Sequence, residues 1–153
     1  MEGFYGVIEL IILAVTLLVS VYFSYRSTRI QQKILTIKSA EEFSKDINNK
    51  RRELEKTLGF SIKSGTIIDA NLLLSIEEDP NKRLALIDFL NLYESMSRGI
   101  NLDAYDEEIF KIARASVTVR TYFAFEDFII QYRRKYNRGT AWIEYEKLAK
   151  KWR

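Results

Sequence analysis

Residues 4–25 read FYGVIELIILAVTLLVSVYFSY, twenty-two residues whose single charge is Glu9. As a helix this stretch rises about 33 Å, against about 30 Å for the hydrocarbon core of a bilayer. Phe4 and Tyr5 at one end, and Tyr22, Phe23 and Tyr25 at the other, suit the headgroup layers where amphipathic rings gather. Two plainer readings compete: a cleavable secretory signal and a buried core helix. A signal opens on basic residues and closes on small ones, whereas this chain opens Met-Glu-Gly and passes from Val21 into YFSYRSTR. A soluble core helix rarely runs this far without a polar face. The segment is therefore expected to cross a membrane once.

Charge on either side of it sets an expected orientation. Residues 1–25 carry Glu2 and Glu9 and no base, whereas Arg26, Arg29, Lys33 and Lys38 follow close behind. Basic residues at that distance bias a segment to stay inside. The expectation is a single-pass membrane protein with its N-terminus outside and its remainder cytoplasmic. Within the span, Glu9, Leu13, Thr16, Ser20 and Ser24 recur at four- and three-residue spacings and so share one stripe. Ser20 and Ser24 form a small-xxx-small pair that permits close helix approach, which points to self-association or docking on another membrane protein. The alternative is a Glu9 shallow enough to reach water, with Ser and Thr bonded to their own helix carbonyls.

The chain as a whole has 153 residues, with no His, no Cys, one Pro and six Gly. Disulfides, cysteine-ligated zinc, cysteine nucleophiles and histidine acid–base sites are excluded. The net charge of +3 is a sum over blocks. Residues 26–63 hold ten bases and five acids, residues 64–131 six bases and twelve acids, and residues 132–153 eight bases and two acids.

After the span no Gly- or Pro-rich linker intervenes, so residues 26–58 are expected to form a helical stalk. Ile30, Ile34, Ile37, Ala40, Phe43, Ile47, Leu54 and Leu58 keep a stripe of roughly 3.5-residue period, broken only around Lys50 and Arg51. Ser39-Ala-Glu-Glu also reads as a capping box that would start a fresh helix at Ala40. Gly59 ends the stalk, and SIKSG at 61–65 is a connection to a helical domain over residues 66–153. There, residues 67–78 are apolar nearly all round and predict a buried helix. Asp79-Pro80 starts the next one, which presents Leu84, Ile87, Leu90, Tyr93 and Met96 and stops at Gly99. Asp103 or Asp106 opens a long helix to about Tyr136, with Ile109, Ile112 and Phe125 among the residues available to pack. Asn137-Arg138-Gly139 breaks it, and Thr140 caps a last helix with Trp142, Tyr145, Leu148, Ala149 and Trp152 on one side. The expected fold class is all-α: a membrane helix, a stalk and a helical bundle.

Chemistry is sparse. There is no phosphate loop, no G-x-G-x-x-G, no G-x-S-x-G and no EF-hand loop. The acidic runs Glu77-Glu78-Asp79, Asp106-Glu107-Glu108 and Glu126-Asp127 could in principle hold Mg²⁺ or serve as acid and base, but the first abuts a helix start and the second opens the long helix, where acids complement the dipole and the cap. No cofactor or metal is expected. Asn91 and Glu94, three apart among apolar neighbours, are expected to be buried and to need partners such as Arg114, Arg120 or Arg133, in a structural network or a contact site. The basic tail, with Arg133, Arg134, Lys135, Arg138, Lys150 and Lys151, has three readings. It pairs with the acidic middle of the same or a neighbouring bundle, returns to the membrane surface, or binds nucleic acid. Pairing needs no new partner and ranks first; nucleic acid is not expected.

Two stretches carry a resemblance: LNLYESMSRGINLDAYDEEIF at 90–110 and WIEYEKLAKKW at 142–152. Together with the apolar N-terminal segment, the last 70 or so residues resemble a family of small bacterial and phage proteins described as a domain of unknown function. The matching positions are Leu90, Asn91, Tyr93, Glu94, Gly99, Asp106, Glu107, Glu146, Leu148 and Ala149. Leu92 stands where the family has an aromatic, and Ser97 departs from an apolar preference. The resemblance implies a membrane-anchored helical protein and carries no activity or catalytic residue. The expected function is non-enzymatic: recruitment or regulation of a protein partner by the cytoplasmic domain, with self-association as one route. The alternative implied by the resemblance is a phage-type membrane effector that interferes with infection or with the host envelope.

Overall fold

A computed structural model describes residues 2–59, 61, 62 and 68–153, with side chains from Gly6 onward. The expected positions of Phe4 and Tyr5, residues 63–65 of the connection, and Ile67 lie outside what is described. Five helices follow one another: α1 (Glu2–Leu58), α2 (Ala70–Glu78), α3 (Pro80–Asn101), α4 (Glu107–Lys135) and α5 (Ile143–Trp152). Among the described residues there is no strand.

The segment expected to span and the expected stalk are one helix. α1 runs 57 residues, about 85 Å at the usual rise per residue. The capping box at Ser39 does not restart it: Ser39 and Ala40 lie mid-helix and buried. The capping reading yields because the residues on both sides are good helix formers with no glycine or proline between them. Gly59, at φ +77°, ends α1 as expected, its N–H bonding the Glu55 carbonyl at 3.0 Å.

Only part of the stalk stands clear of the bundle. Ile30, Ile34 and Ile37 are at least half exposed, whereas Thr36, Ser39, Ala40, Ile47, Leu54 and Leu58 are buried against α3 and α4. The junction is polar. Gln32 Nε2 donates to the Asp103 carbonyl at 2.7 Å, and the Asp106 N–H donates to Thr36 Oγ1 at 2.8 Å. The loop between α3 and α4 is thereby tied to α1 where it joins the bundle.

Each later helix has a local cause. Asp69, Asp79 and Asp106 cap α2, α3 and α4 through their carboxylates, and Pro80 fills the first position of α3, where its missing N–H costs nothing. α2 is not buried all round: Leu73 and Ile76 are buried, with α3 as the main neighbour, and Leu74 is 56% exposed. Ile112 and Leu84, counted with the packing residues from spacing alone, also face solvent.

Gly99 does not stop α3, which runs two residues further. The left-handed residue after its end is Asp103, at φ 56°, and short polar side chains tolerate that region. Gly99 is needed for space instead. A Cβ there would lie 2.3 Å from Tyr105 Cε2, so the ring of Tyr105 folds down onto a bare backbone. That seats Tyr105 in a three-ring cluster with Phe43 and Phe110.

Candidate functional site

The N-terminal half of α1 is the most exposed apolar surface of the molecule. Its most apolar stretch is wholly uncovered, and this helix is long and apolar enough to cross a membrane. Glu9, Thr16, Ser20 and Ser24 lie along one side of it, all exposed. Thr16 Oγ1 donates to the Ile12 carbonyl at 2.8 Å and Thr28 Oγ1 to that of Ser24 at 3.0 Å, so the hydroxyls bond back to their own helix. Arg26, Arg29, Lys33 and Lys38 follow as an exposed basic band. Arg29 folds onto Tyr25, its Nε donating to the phenol oxygen at 3.0 Å.

The polar pair on α3 has a different partner from the one its spacing suggests. Asn91 is exposed as a residue, and its Oδ1 accepts from the indole Nε1 of Trp142 at 2.9 Å. Glu94, with a side chain 12% exposed, accepts from the backbone N–H of Tyr145 at 2.9 Å and of Glu144 at 3.4 Å, and pairs with Arg98. Asn101 Nδ2 donates to the Glu144 carbonyl and carboxylate. Glu94 therefore caps α5 from another helix. Thr140 does not act as the cap, because α5 begins three residues later, at Ile143, behind a left-handed Trp142 with φ 54°. A large residue in that conformation is costly, and the Asn91 bond and burial of the indole hold it there.

The described partner of Glu94 among the arginines is Arg98, on its own helix, where Arg114, Arg120 or Arg133 was expected. Arg120 donates to the Ser116 carbonyl of its own helix. Arg133 instead grips α5, donating to Glu146 at 2.6 Å and to the Ala141 carbonyl at 2.8 Å. Arg114 faces a groove described below.

The rest of the basic tail is partly spent on the bundle. Lys135 pairs with Glu77 of α2, Lys151 with Glu107 of α4 and Lys150 with Glu146, while Arg134 and Arg138 are exposed. Glu107 also accepts from Trp152 Nε1 at 2.9 Å, and its carboxyl is held below the ordinary value chiefly by Lys151. Glu146 is lowered by Lys150 and then Arg133, and Glu144 by Lys147 and then Asn101. α5 is thus clasped along its length: α3 at its start, α4 at its end, and a buried face of Tyr145, Leu148, Ala149 and Trp152 between.

A groove of about 800 Å³ opens where α1, α3 and α4 meet. Arg51, Arg114 and Arg120 line it together with Tyr93, Thr121 and apolar side chains from all three helices. Sequence reasoning passed over Arg51, although the signal is present. Ile47, Arg51, Leu54 and Leu58 follow at spacings of four, three and four, so Arg51 holds a core position of the α1 stripe.

A family described as "Domain of unknown function (DUF4760)" matches residues 7–152. The chain belongs to this family. No curated protein and no solved structure matches it. In this DUF4760 chain the positions that carry the family resemblance are those that hold α5 and its surroundings. Asn91 and Glu94 bond its start, Glu107 bonds Trp152, Glu146 bonds Arg133, and Leu90, Tyr93, Leu148 and Ala149 are fully buried. Asp106 caps α4 and Gly99 admits Tyr105. Ser97 is fully buried with no partner for its hydroxyl among the described residues.

Proposed function

We propose that this DUF4760 protein is a single-pass protein of the bacterial inner membrane, its N-terminus outside, whose cytoplasmic helical domain recruits or regulates a protein partner without chemistry of its own. The lipid bilayer is its first partner. One observation carries the reading: the exposed apolar half of α1 continues without a break into the core of the bundle. An apolar surface of that extent is unfavourable in water and matches hydrocarbon, where a helix satisfies its own backbone. Arg26, Arg29, Lys33 and Lys38 support the orientation, and near anionic headgroups each contributes about 1 kcal/mol. Just beyond, Ile30, Ile34 and Ile37 lie exposed along one face, which a partner helix or a second copy of α1 would cover.

The absence of cysteine makes the test clean. In intact cells, a membrane-impermeant maleimide should label Glu2→Cys and spare Lys45→Cys until the cells are opened. Ile34→Cys in the same membranes should crosslink to one discrete species, lost when Ile30 and Ile37 become Ser. Labelling of Lys45→Cys from outside, or release of the chain by alkaline carbonate, would contradict the anchor. Retention of the crosslink in the serine variant would contradict the docking face.

A further inference from the structure

The groove between α1, α3 and α4 contains more positive charge than its walls neutralise. Of its acidic residues, Glu55 is already occupied, accepting from the Ile62 N–H at 2.8 Å and from Ser61 Oγ, and Asp127 is exposed. Arg153 lies over the Phe123 ring at 4.6 Å. Arg51 reaches the groove from α1 and Arg114 from α4, and both lie close enough to Tyr93 of α3 to act on its phenol. The Arg51 Nε is buried with no acceptor among the described residues. A buried guanidinium N–H left unbonded is costly, and a guanidinium fork fits the paired oxygens of an oxyanion. The Tyr93 phenol is pushed above its ordinary range by burial, against the pull of its hydrogen bond with Thr121 and then of Arg114 and Arg51, so at neutral pH it keeps its proton and adds no negative charge. Beside this cationic centre the walls are apolar: Phe89, Val117 and Val119. The volume falls in the usual range for small-molecule sites, which pair apolar walls with a few placed polar groups.

We propose that this groove binds a soluble organic phosphate, its phosphoryl oxygens held by Arg51 and Arg114 beside the Tyr93 hydroxyl and its apolar part lying against Phe89 and Val119. Phosphate suits the site better than carboxylate because it offers three oxygens to donors arriving from three helices. A lipid headgroup does not suit it. From Tyr25 to Arg51 the helix rises about 39 Å, several times the roughly 8 Å screening length at physiological salt. That last step rests on the membrane reading above; the recognition of phosphate does not. Because Arg51 belongs to α1 and Arg114 to α4, the bound ligand fastens the helix that leaves for the membrane to the bundle.

The test uses the full chain in detergent, with calorimetric titration and thermal melting. Inorganic pyrophosphate should bind and raise the melting temperature, and ADP, chosen as an organic phosphate, should compete with it and bind more tightly. Arg51→Gln and Arg114→Gln should each weaken both by about tenfold or more, the loss expected for a charge-assisted bond. Arg98→Gln, on the far side of α3, should change neither. Where Arg51→Gln melts early without ligand, Arg51→Lys is the informative variant, keeping the charge, losing the fork and still weakening binding. Val119→Trp should lose ADP and keep pyrophosphate. Failure of pyrophosphate to bind, or binding that survives both arginine substitutions, overturns the site. ADP no tighter than pyrophosphate overturns the apolar half of the assignment. Melting raised by anionic phosphatidylglycerol vesicles and not by pyrophosphate overturns the soluble ligand in favour of a headgroup. Carbonate release of the chain would sink the anchor and leave the pyrophosphate result standing.

Discussion

The two halves of α1 are one continuous helix with opposite surfaces. Over residues 6–25 apolar side chains point in every direction and none is covered: Leu10, Leu13, Leu17, Leu18 and Val21 are all more than half exposed. Beyond Tyr25 the apolar residues thin to one stripe, and from Ala40 to Leu58 Ala40, Ile47, Leu54 and Leu58 of that stripe are buried. The helical backbone is the same in both, so the difference lies in what surrounds it. The first half suits a solvent that is apolar on all sides, the second a core on one side and water on the other.

Single truncations should separate the halves most sharply. Leu54 is fully buried, and Leu54→Ala should cost about 2–5 kcal/mol in urea unfolding followed by tryptophan emission. Leu17→Ala, 66% exposed on the same helix, should change that unfolding by less than about 0.5 kcal/mol. Equal effects would mean that the halves are not distinct. Next in size is the clasp on α5, which is confined to the bundle. Glu94→Ala strips the acceptor from two backbone N–H groups and should cost about 1–3 kcal/mol, whereas Thr16→Ala, whose hydroxyl bonds only its own helix, should be silent. Both tryptophans lie at the ends of α5, so their emission reports its release directly.

Much of this fold is legible in the chain. Asp79, Asp106 and Gly59 mark helix ends through local chemistry, and the face of α5 from Trp142 to Trp152 follows from spacing alone. What was not legible depends on residues far apart in sequence. Glu94 meets the Tyr145 N–H 51 residues later, so its spacing among apolar neighbours predicted burial but not which helix it serves. Gly99 reads as a helix stop until Tyr105 is seen lying on it. Ile112 fits a helical stripe and still faces water, because no element packs on that side of α4. The stalk looked uniform because its apolar period does not change where cover begins.

Smaller effects refine the bundle side of the comparison. Ser97→Ala removes a buried hydroxyl without a partner and should stabilise the bundle by about 1 kcal/mol in the same urea titration. The weakest effect is acid sensitivity. Glu107, Glu144 and Glu146 titrate below their ordinary 4.5 in the folded chain. Their contribution is therefore full above that value and is lost as pH falls through the lowered ones. Since all three face solvent in part, the loss should be shallow, and it should appear in tryptophan emission from α5 before helix content falls.

The central claim is that one unbroken helix passes from lipid into a protein core. A cysteine scan along α1 in reconstituted bilayers, with spin labels read for oxygen and for aqueous nickel accessibility, tests it most directly. The account predicts high oxygen and low nickel accessibility at every position from about 7 to 24, with no helical period. It predicts a period of about 3.6 residues from 36 to 58, with minima at Ala40, Ile47, Leu54 and Leu58. A 3.6-residue period with nickel-accessible positions inside the first segment would contradict it, since that is the signature of a helix half in water.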